Sequence, residues 1–185
     1  MVLGAVVAKV SGEDYFDYVR KHIYKPAGMV NTDAYEMDRD TPNLAIGYTE
    51  GHMAGPGQPE GPRNNLFMHV VKGGPAGGGF STVEDLTRFA LALQNGKLLD
   101  KKETDILLTG KVSPGRRGNS KYAYGFFDDT LRGTRIVGHG GGFPGINSQL
   151  DIYLDKGYTV AVMSNYDPPA AQRIADKAKA LITQE

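Results

Sequence analysis

Cysteine is absent from the sequence, and this absence removes several kinds of chemistry at once. Without cysteine the chain has no disulfides, no thiolate metal sites and no cysteine nucleophile. The redox compartment of the protein is left undetermined for the same reason. Any covalent catalysis must therefore use a different nucleophile.

An excess of charge of either sign is also absent. Lysine and arginine together number 21, aspartate and glutamate together number 21, and the formal net charge at pH 7 is zero. Because no run of basic residues is clustered, the sequence lacks the electrostatic footprint of a protein that binds nucleic acid or an anionic membrane. We therefore expect neither partner.

Long hydrophobic runs are missing too. No apolar segment approaches the roughly 18 to 20 residues of a membrane-spanning helix, so we expect no membrane span. The apolar segment at residues 1–8 is short and lacks a basic start, which makes it a poor signal peptide. We expect it to be the end of a buried helix, with the chain starting inside a fold, and the localisation is left open.

What is present fits a single globular domain. The chain has 185 residues, of which 40% are apolar, and this is enough to bury a sizeable core. Residues 51–62, with the sequence GHMAGPGQPEGP, are so rich in glycine and proline that they must form a loop. Loops of that length are usually functional, so we expect this one to border a substrate cleft.

Helical periodicity marks the first half of the chain. Ser11 is placed to cap a helix with Tyr15, Phe16, Val19 and Ile23 on one face.

A second helix follows Ser81 and Glu84, which have the spacing of a capping box, and a third is expected at Lys101–Leu108. The last helix begins near Pro168 and Pro169. Its expected inner face consists of Ile174, Ala178, Leu181 and Ile182.

Strand periodicity begins after Ser120. We predict strands at residues 122–127, 134–137, 146–154 and 158–163, and the last is apolar enough to be covered on both faces. The chain is thus predicted to be α+β, with an antiparallel sheet flanked by helices. Residues 1–119 form its mainly helical and loop part, and residues 120–185 form its strands and C-terminal helix.

The stretch from His139 to Gly142 is the most distinctive motif, and it has several interpretations. It is either a glycine-rich turn with an exposed histidine or a loop that binds an oxyanion. The oxyanion loop of lipase-type α/β-hydrolases fails because no G-x-S-x-G elbow and no alternating β and α units follow. A phosphate loop is weak because the run leads into a strand and not into a helix.

The neighbouring motifs resemble the serine β-lactamase and penicillin-binding-protein-like family, especially its class C β-lactamase, D-Ala-D-Ala carboxypeptidase and esterase branch. The matching pieces occur in the family's order over nearly the whole chain. They are Leu3-Gly4, Val10-Ser11-Gly12, residues 23–29 (IYKPAGM), Thr32, residues 45–48 (AIGY), residues 76–78 (AGG), Ser81-Thr82, Asp85-Leu86, residues 124–126 (YGF), residues 138–141 (GHGG), Pro144-Gly145 and Ser164-Asn165.

This resemblance implies a role for the glycine run. His139, Gly140 and Gly141 stand at the family's third motif, K-T-G or H-x-G, on the sheet strand that walls the active site. Glycines there permit close approach of a substrate, and the backbone NH of Gly142 is an expected oxyanion donor. The ring of His139 is expected either to hydrogen-bond substrate or a catalytic hydroxyl, or simply to support the strand.

The family's nucleophile is missing from the sequence. A Ser-x-x-Lys pair and a Tyr-x-Asn motif are required, yet no serine is followed three residues later by lysine, and no tyrosine is followed two residues later by asparagine. The chain therefore resembles the C-terminal half of such a hydrolase, in which both motifs lie upstream. Loss of a nucleophile from a cooperating set lowers turnover by about a million-fold, so we expect no activity from this chain alone.

Two other functions remain open at this stage. One is a noncatalytic module that binds a peptide, an acyl ligand or a protein with the retained cleft wall. The other is a metal hydrolase using His22, His52, His69 and His139, but their spacing is not that of metal ligands. We expect no metal and no cofactor.

The expected partners follow from the resemblance. They are a small-molecule or peptide substrate of the intact parent, namely a β-lactam, a D-amino-acid peptide or an ester. In addition we expect self-association or docking of the missing N-terminal segment, because apolar faces and strand edges would be left open.

Overall fold

The structure, a computed structural model, describes residues 1–50, 61–115 and 120–184. Its helices are α1 (Val2–Ser11), α2 (Tyr15–Val19), α3 (Lys25–Ala27), α4 (Val83–Gln94), α5 (Lys101–Leu108) and α6 (Ala170–Ile182). A π-helical turn at Arg20–Tyr24 joins α2 to α3. None of the helices in these ranges combines the length and hydropathy needed to cross a membrane.

The strands form two sheets. They are β1 (Tyr48–Thr49), β2 (Arg63–Asn64), β3 (Lys121–Tyr122), β4 (Phe127–Leu131), β5 (Thr134–Phe143), β6 (Ile146–Tyr153) and β7 (Tyr158–Ser164). Strands β3 to β7 make one antiparallel sheet in chain order, whereas β1 and β2 pair separately. The predicted α+β class, an antiparallel sheet flanked by helices, is confirmed.

The main core lies between one face of this sheet and helices α4 and α5. Its buried side chains come from both layers, and they include Ala90, Leu93, Leu108, Val137, Leu150 and Ile152. Residues that alternate with Leu150 and Ile152 point to the opposite face. There Asn147 and Asp151 contact α6, so α6 covers the other side of the sheet.

Two predicted helix caps are wrong by a few residues. Helix α2 is capped by Asp14, whose carboxylate accepts from the backbone NH groups of Phe16 and Asp17. Ser11 instead ends α1 and donates to the carbonyl of Val7 at 2.7 Å. A carboxylate is the stronger acceptor at the positive end of a helix, which explains the choice of Asp14.

The capping box before α4 is also displaced. Thr82 is the cap and accepts from the backbone NH of Asp85 at 3.2 Å. The hydroxyl of Ser81 lies 2.8 Å from that of Thr32 and is engaged there.

The strand predictions need two corrections. Residues 122–127 are not one strand, because a turn with Gly125 at φ +87° separates β3 from β4. The strand predicted at residues 134–137 continues to Phe143. Strand β7 contacts α4 and α6, which lie on opposite faces of the sheet, as predicted, but it is only half-buried because it is the last strand of the sheet. The loop predicted at residues 51–62 lies mostly outside the described residues.

The two terminal helices are placed as predicted but differ in burial. Helix α1 is not buried, since the side chains of Leu3 and Val10 are 80% and 82% exposed. On α6 the predicted inner face is wrong for Ile174 and Leu181, which are exposed. The side that packs on the sheet carries Ala171 and Ala175, whose small side chains let the helix lie close to the strands.

Candidate active site

The glycine run is part of a strand and not a turn. Strand β4 pairs with β5 only from Thr134 to Gly138, whereas β6 pairs with β5 from Ile136 to Phe143. From His139 to Phe143, therefore, one edge of β5 has no strand partner within the described residues. An edge of this kind presents backbone NH and C=O groups to an extended ligand.

Alternate glycines of β5 are explained by packing on the α6 side of the sheet. A side chain at Gly138 would collide with the carbonyl of Leu150, and one at Gly140 would collide with the side chain of Gln149. A side chain at Gly142 would lie 2.9 Å from the ring of Pro168. The glycines thus make room for side chains of the neighbouring elements, a reason that the sequence alone does not reveal.

His139 is held by an aromatic pair. Its Nδ1 lies 2.7 Å from the carbonyl of Gly140, and its Nε2 lies 3.1 Å from the hydroxyl of Tyr122. A carbonyl only accepts, so Nδ1 donates to it, and in the neutral ring Nε2 then accepts from the phenol. The ring also stacks on Phe127, with 5.3 Å between ring centroids. The sequence pattern predicts only a strand at Tyr122 and gives no signal of its contact with His139.

Asn147 fastens β5 to the start of α6. Its amide nitrogen donates to the carbonyl of Gly141 at 2.8 Å. Its amide oxygen accepts from the backbone NH groups of Ala171 and Gln172. Because those NH groups begin α6 and have no helical partner, Asn147 acts as a cap supplied from the sheet.

The turn after the glycine run is anchored by two polar side chains. Asn65 donates to the carbonyl of Pro144 at 2.9 Å. The carboxylate of Asp167 accepts from the backbone NH of Gly145 at 2.7 Å and from that of Glu50 at 2.8 Å. These bonds hold the region of β1 and β2 against the end of β5. They therefore fix the position of that end of the candidate site.

The histidines lie in different surroundings. His22 contacts Glu13 on the surface, and His69 lies between the rings of Phe80 and Phe143. Burial lowers the pKa of His69. His52 lies outside the described residues. Among the residues that are described, no group of three or more potential ligands is arranged to hold a metal ion.

Known proteins are similar to this chain in sequence. A family model described as Beta-lactamase matches residues 1–185. The protein PbpX of Bacillus subtilis (strain 168), named as a penicillin-binding protein, is 31% identical over 188 residues, which cover 100% of this chain and 43% of that protein.

Two solved structures support the same relationship. A penicillin binding protein from Bacillus halodurans has a TM-score of 0.86 and 28% identity over 97% of this chain and 52% of its own. A D-stereospecific amidohydrolase from Streptomyces sp. has a TM-score of 0.70 and 27% identity over 89% of this chain and 47% of its own. The chain thus spans about half the length of the proteins that it resembles, or less.

Proposed function

Since the chain belongs to the beta-lactamase family, we propose that it forms the C-terminal half of a serine hydrolase site and is inactive alone. The nucleophilic serine, its lysine and the proton-shuttling tyrosine come from a companion segment that carries Ser-x-x-Lys and Tyr-x-Asn. The hydroxyl of that serine attacks the acyl carbon, its proton passes to the leaving amine or alcohol, and water then releases the acyl group.

The observation that carries this proposal is the open edge of β5. His139, Gly140, Gly141 and Gly142 all lie on it, beyond the point where β4 ends. An extended acyl substrate can pair with this edge, and a backbone NH at Gly142 suits an oxyanion. One such donor contributes about a hundred- to a thousand-fold in rate.

The proposed substrate is either an amide of a D-amino acid or a β-lactam, and the amide bond is the one that is hydrolysed. This class follows from the names of the similar proteins, penicillin-binding protein and D-stereospecific amidohydrolase. We expect simple esters to be poorer substrates. The substrate pocket would be shared between the two halves, so its preference is set jointly by them.

Complementation tests the proposal. The chain is mixed with the part of the Bacillus halodurans penicillin binding protein that lies outside the match, and hydrolysis of nitrocefin, D-phenylalanine amide and p-nitrophenyl acetate is followed. We expect turnover from the mixture only, and none when the serine of Ser-x-x-Lys is replaced by alanine. Turnover by the chain alone would contradict the assignment of the nucleophile.

Covalent labelling gives an independent measurement. The purified chain is treated with a fluorophosphonate probe and a fluorescent penicillin and analysed by intact mass with peptide mapping. We expect no adduct. A stoichiometric adduct on one serine would show that the nucleophile lies in this chain.

A noncatalytic binding module is the second candidate, and the same open strand edge favours it. In that case the chain binds a peptide or acyl ligand along β5 with no companion present. Binding of a D-Ala-D-Ala peptide to the isolated chain, without any hydrolysis in the complementation mixture, would favour this function over the first.

A further inference from the structure

A cavity of about 520 Å³ lies on the α6 side of the sheet. It opens beside α6, over the part of the sheet formed by β4 and β5. Its walls include Asp129 of β4, Gly138 and Gly140 of β5, Gln149 and Asp151 of β6, and Lys179 of α6. We call this cavity the acidic groove. Its walls also include His139, Gly141 and Gly142, so the groove reaches the open strand edge of β5, where the hydrolysis is proposed.

The strand register brings two carboxylates to this groove. Asp151 lies opposite Gly138, which in turn lies opposite Phe127 of β4. Asp129 is two residues beyond Phe127 and therefore points to the same face of the sheet. Because Gly138 has no side chain, nothing from β5 covers the carboxylate of Asp151.

Asp151 is only 2% exposed, yet it is incompletely paired. Its Oδ1 accepts from the side-chain amide of Gln149 at 2.6 Å. Its Oδ2 has no hydrogen-bond donor among the described residues. The ammonium group of Lys179 lies 3.5 Å from Oδ2, near enough to attract it but beyond a good hydrogen bond.

The carboxylate of Asp129 has no ion-pair or hydrogen-bond partner in the described parts of the chain. The groove therefore holds two carboxylates and a single lysine, and it lacks one positive charge and one donor. A buried carboxylate oxygen without a donor is costly, and native proteins pair such groups almost always. A cation that donates hydrogen bonds would satisfy both carboxylates at once.

We propose that the acidic groove receives an arginine or lysine side chain of the companion segment. This proposal rests on the proposed function, because the companion segment is part of it. A polypeptide is the occupant because α6 covers only the β6 and β7 part of this face, leaving a trough beside it. The related proteins also have about as much chain again outside the matched region. The basic side chain donates to Oδ2 of Asp151 and faces Asp129.

The groove is tested directly with a side-chain mimic. N-acetyl-L-arginine methylamide is titrated into the ¹⁵N-labelled chain, with the uncharged norleucine analogue as the control ligand. We expect saturable shifts at the amides of Gly138, Gln149 and Asp151 for the arginine compound only. Equal shifts with both compounds, or none at these residues up to the solubility limit, would overturn the proposal.

Matched variants show which carboxylate contributes to binding of the arginine compound. Asp151→Asn keeps the shape of the side chain and is expected to raise the Kd of the arginine compound about tenfold. Asp129→Asn should raise it less, and Asp38→Asn, at an exposed carboxylate far along the chain, should not change it. If Asp151→Asn and Asp38→Asn behave alike while circular dichroism shows both folded, the groove does not bind a cation.

The companion segment distinguishes this proposal from the proposed function. In the complementation mixture, Asp151→Asn should raise the companion concentration needed for half-maximal hydrolysis while leaving the rate at saturation unchanged. If unmodified chain and companion give no hydrolysis, the proposed function fails, but the arginine titration still decides the groove. If the isolated chain forms a dimer that Asp151→Asn abolishes, a second copy occupies the groove and the proposal is overturned.

Discussion

At the scale of single residues, the side chain of His139 is the best-defined feature of the candidate site. Both of its ring nitrogens are engaged within the chain, one by the carbonyl of Gly140 and one by the hydroxyl of Tyr122. The ring is therefore fixed in orientation and in tautomer before any ligand arrives. A fixed ring costs less ordering when a substrate binds.

Tyr122→Phe tests this arrangement. Without the phenol, Nε2 loses its donor, so the tautomer with hydrogen on Nε2 becomes more populated and the protein loses about 0.5 to 1.5 kcal/mol of stability. The measurement is the pair of imidazole ¹⁵N shifts in histidine-labelled protein. Tyr124→Phe is the control, since Tyr124 is exposed and lies in the same segment. Unchanged ring shifts in Tyr122→Phe would contradict the assigned hydrogen bond.

At the scale of elements, strand β5 shows what the sequence can and cannot reveal. Alternation of apolar residues identifies its first half, but glycines carry no side chain and have low strand propensity, so the pattern stops after Val137. Pairing with β6, whose own alternation is clear, carries the strand on to Phe143. The site's backbone is thus determined by a neighbouring element.

The helices lead to a similar conclusion. The predicted bounds of the helix at residues 101–108 are confirmed, and in the structure Asp100 caps it by accepting from the backbone NH of Glu103. The inner face of α6 was wrong because hydrophobic size suggested Ile174 and Leu181, whereas close packing on the sheet requires Ala171 and Ala175. Periodicity alone does not distinguish two apolar faces of one helix.

Alanine substitutions along β5 test the packing reason for its glycines. At Gly138 the obstacle is backbone, so Gly138→Ala should cost about 1 to 3 kcal/mol. At Gly140 the obstacle is the flexible end of Gln149, so Gly140→Ala should cost less. Gly79→Ala is the control, because its new methyl meets only ordinary contact at 3.7 Å. Urea unfolding that gives equal losses at all three positions would rule out this explanation.

The carboxylate of Asp128 joins β4, β5 and the end of α5, and we expect its contribution to stability to depend on pH. Asp128 accepts from the guanidinium of Arg135 at 2.8 Å and from the backbone NH of Gly110 at 2.9 Å. Burial would raise the pKa of Asp128, but these hydrogen bonds outweigh it and the pKa lies below its usual value. Its stabilising effect is therefore present above the pKa of the unfolded chain and is lost as the pH falls through the lower folded pKa.

Asp128→Asn should accordingly lower the free energy of unfolding at pH 7 by about 1 to 3 kcal/mol. The difference from the unmodified protein should shrink below about pH 4, where the carboxylate becomes protonated in the unfolded chain. Urea unfolding across this pH range is the measurement, with Asp38→Asn as the exposed control. A difference that stays constant down to the most acidic pH would show that charge is not involved.

At the scale of the whole molecule, the described chain leaves apolar side chains on its surface at two separate helices. Leu3, Val6 and Val10 are exposed and form one stripe along α1, because they are spaced by three and four residues. Ile174 and Leu181 are exposed in the same way on α6. Contiguous apolar patches on a soluble protein mark surfaces that bind other polypeptides.

The isolated chain is therefore expected to self-associate, and the stripe on α1 is expected to drive it. Leu3→Lys places a charge in that stripe and should shift sedimentation velocity profiles towards the monomer at matched concentrations, without lowering the free energy of unfolding. Leu131→Lys is the matched control, since Leu131 is also exposed but lies at the turn between β4 and β5.

Leu3→Lys also distinguishes a surface that binds the companion segment from one that only self-associates. If the stripe binds the companion segment, Leu3→Lys should also weaken complementation, whereas Leu131→Lys should not, because specific burial of an apolar side chain contributes about 1.5 to 3 kcal/mol. If Leu3→Lys abolishes self-association but leaves complementation unchanged, the stripe is covered only by a second copy. A chain that stays monomeric at every concentration would contradict the expectation that these exposed side chains are an interface.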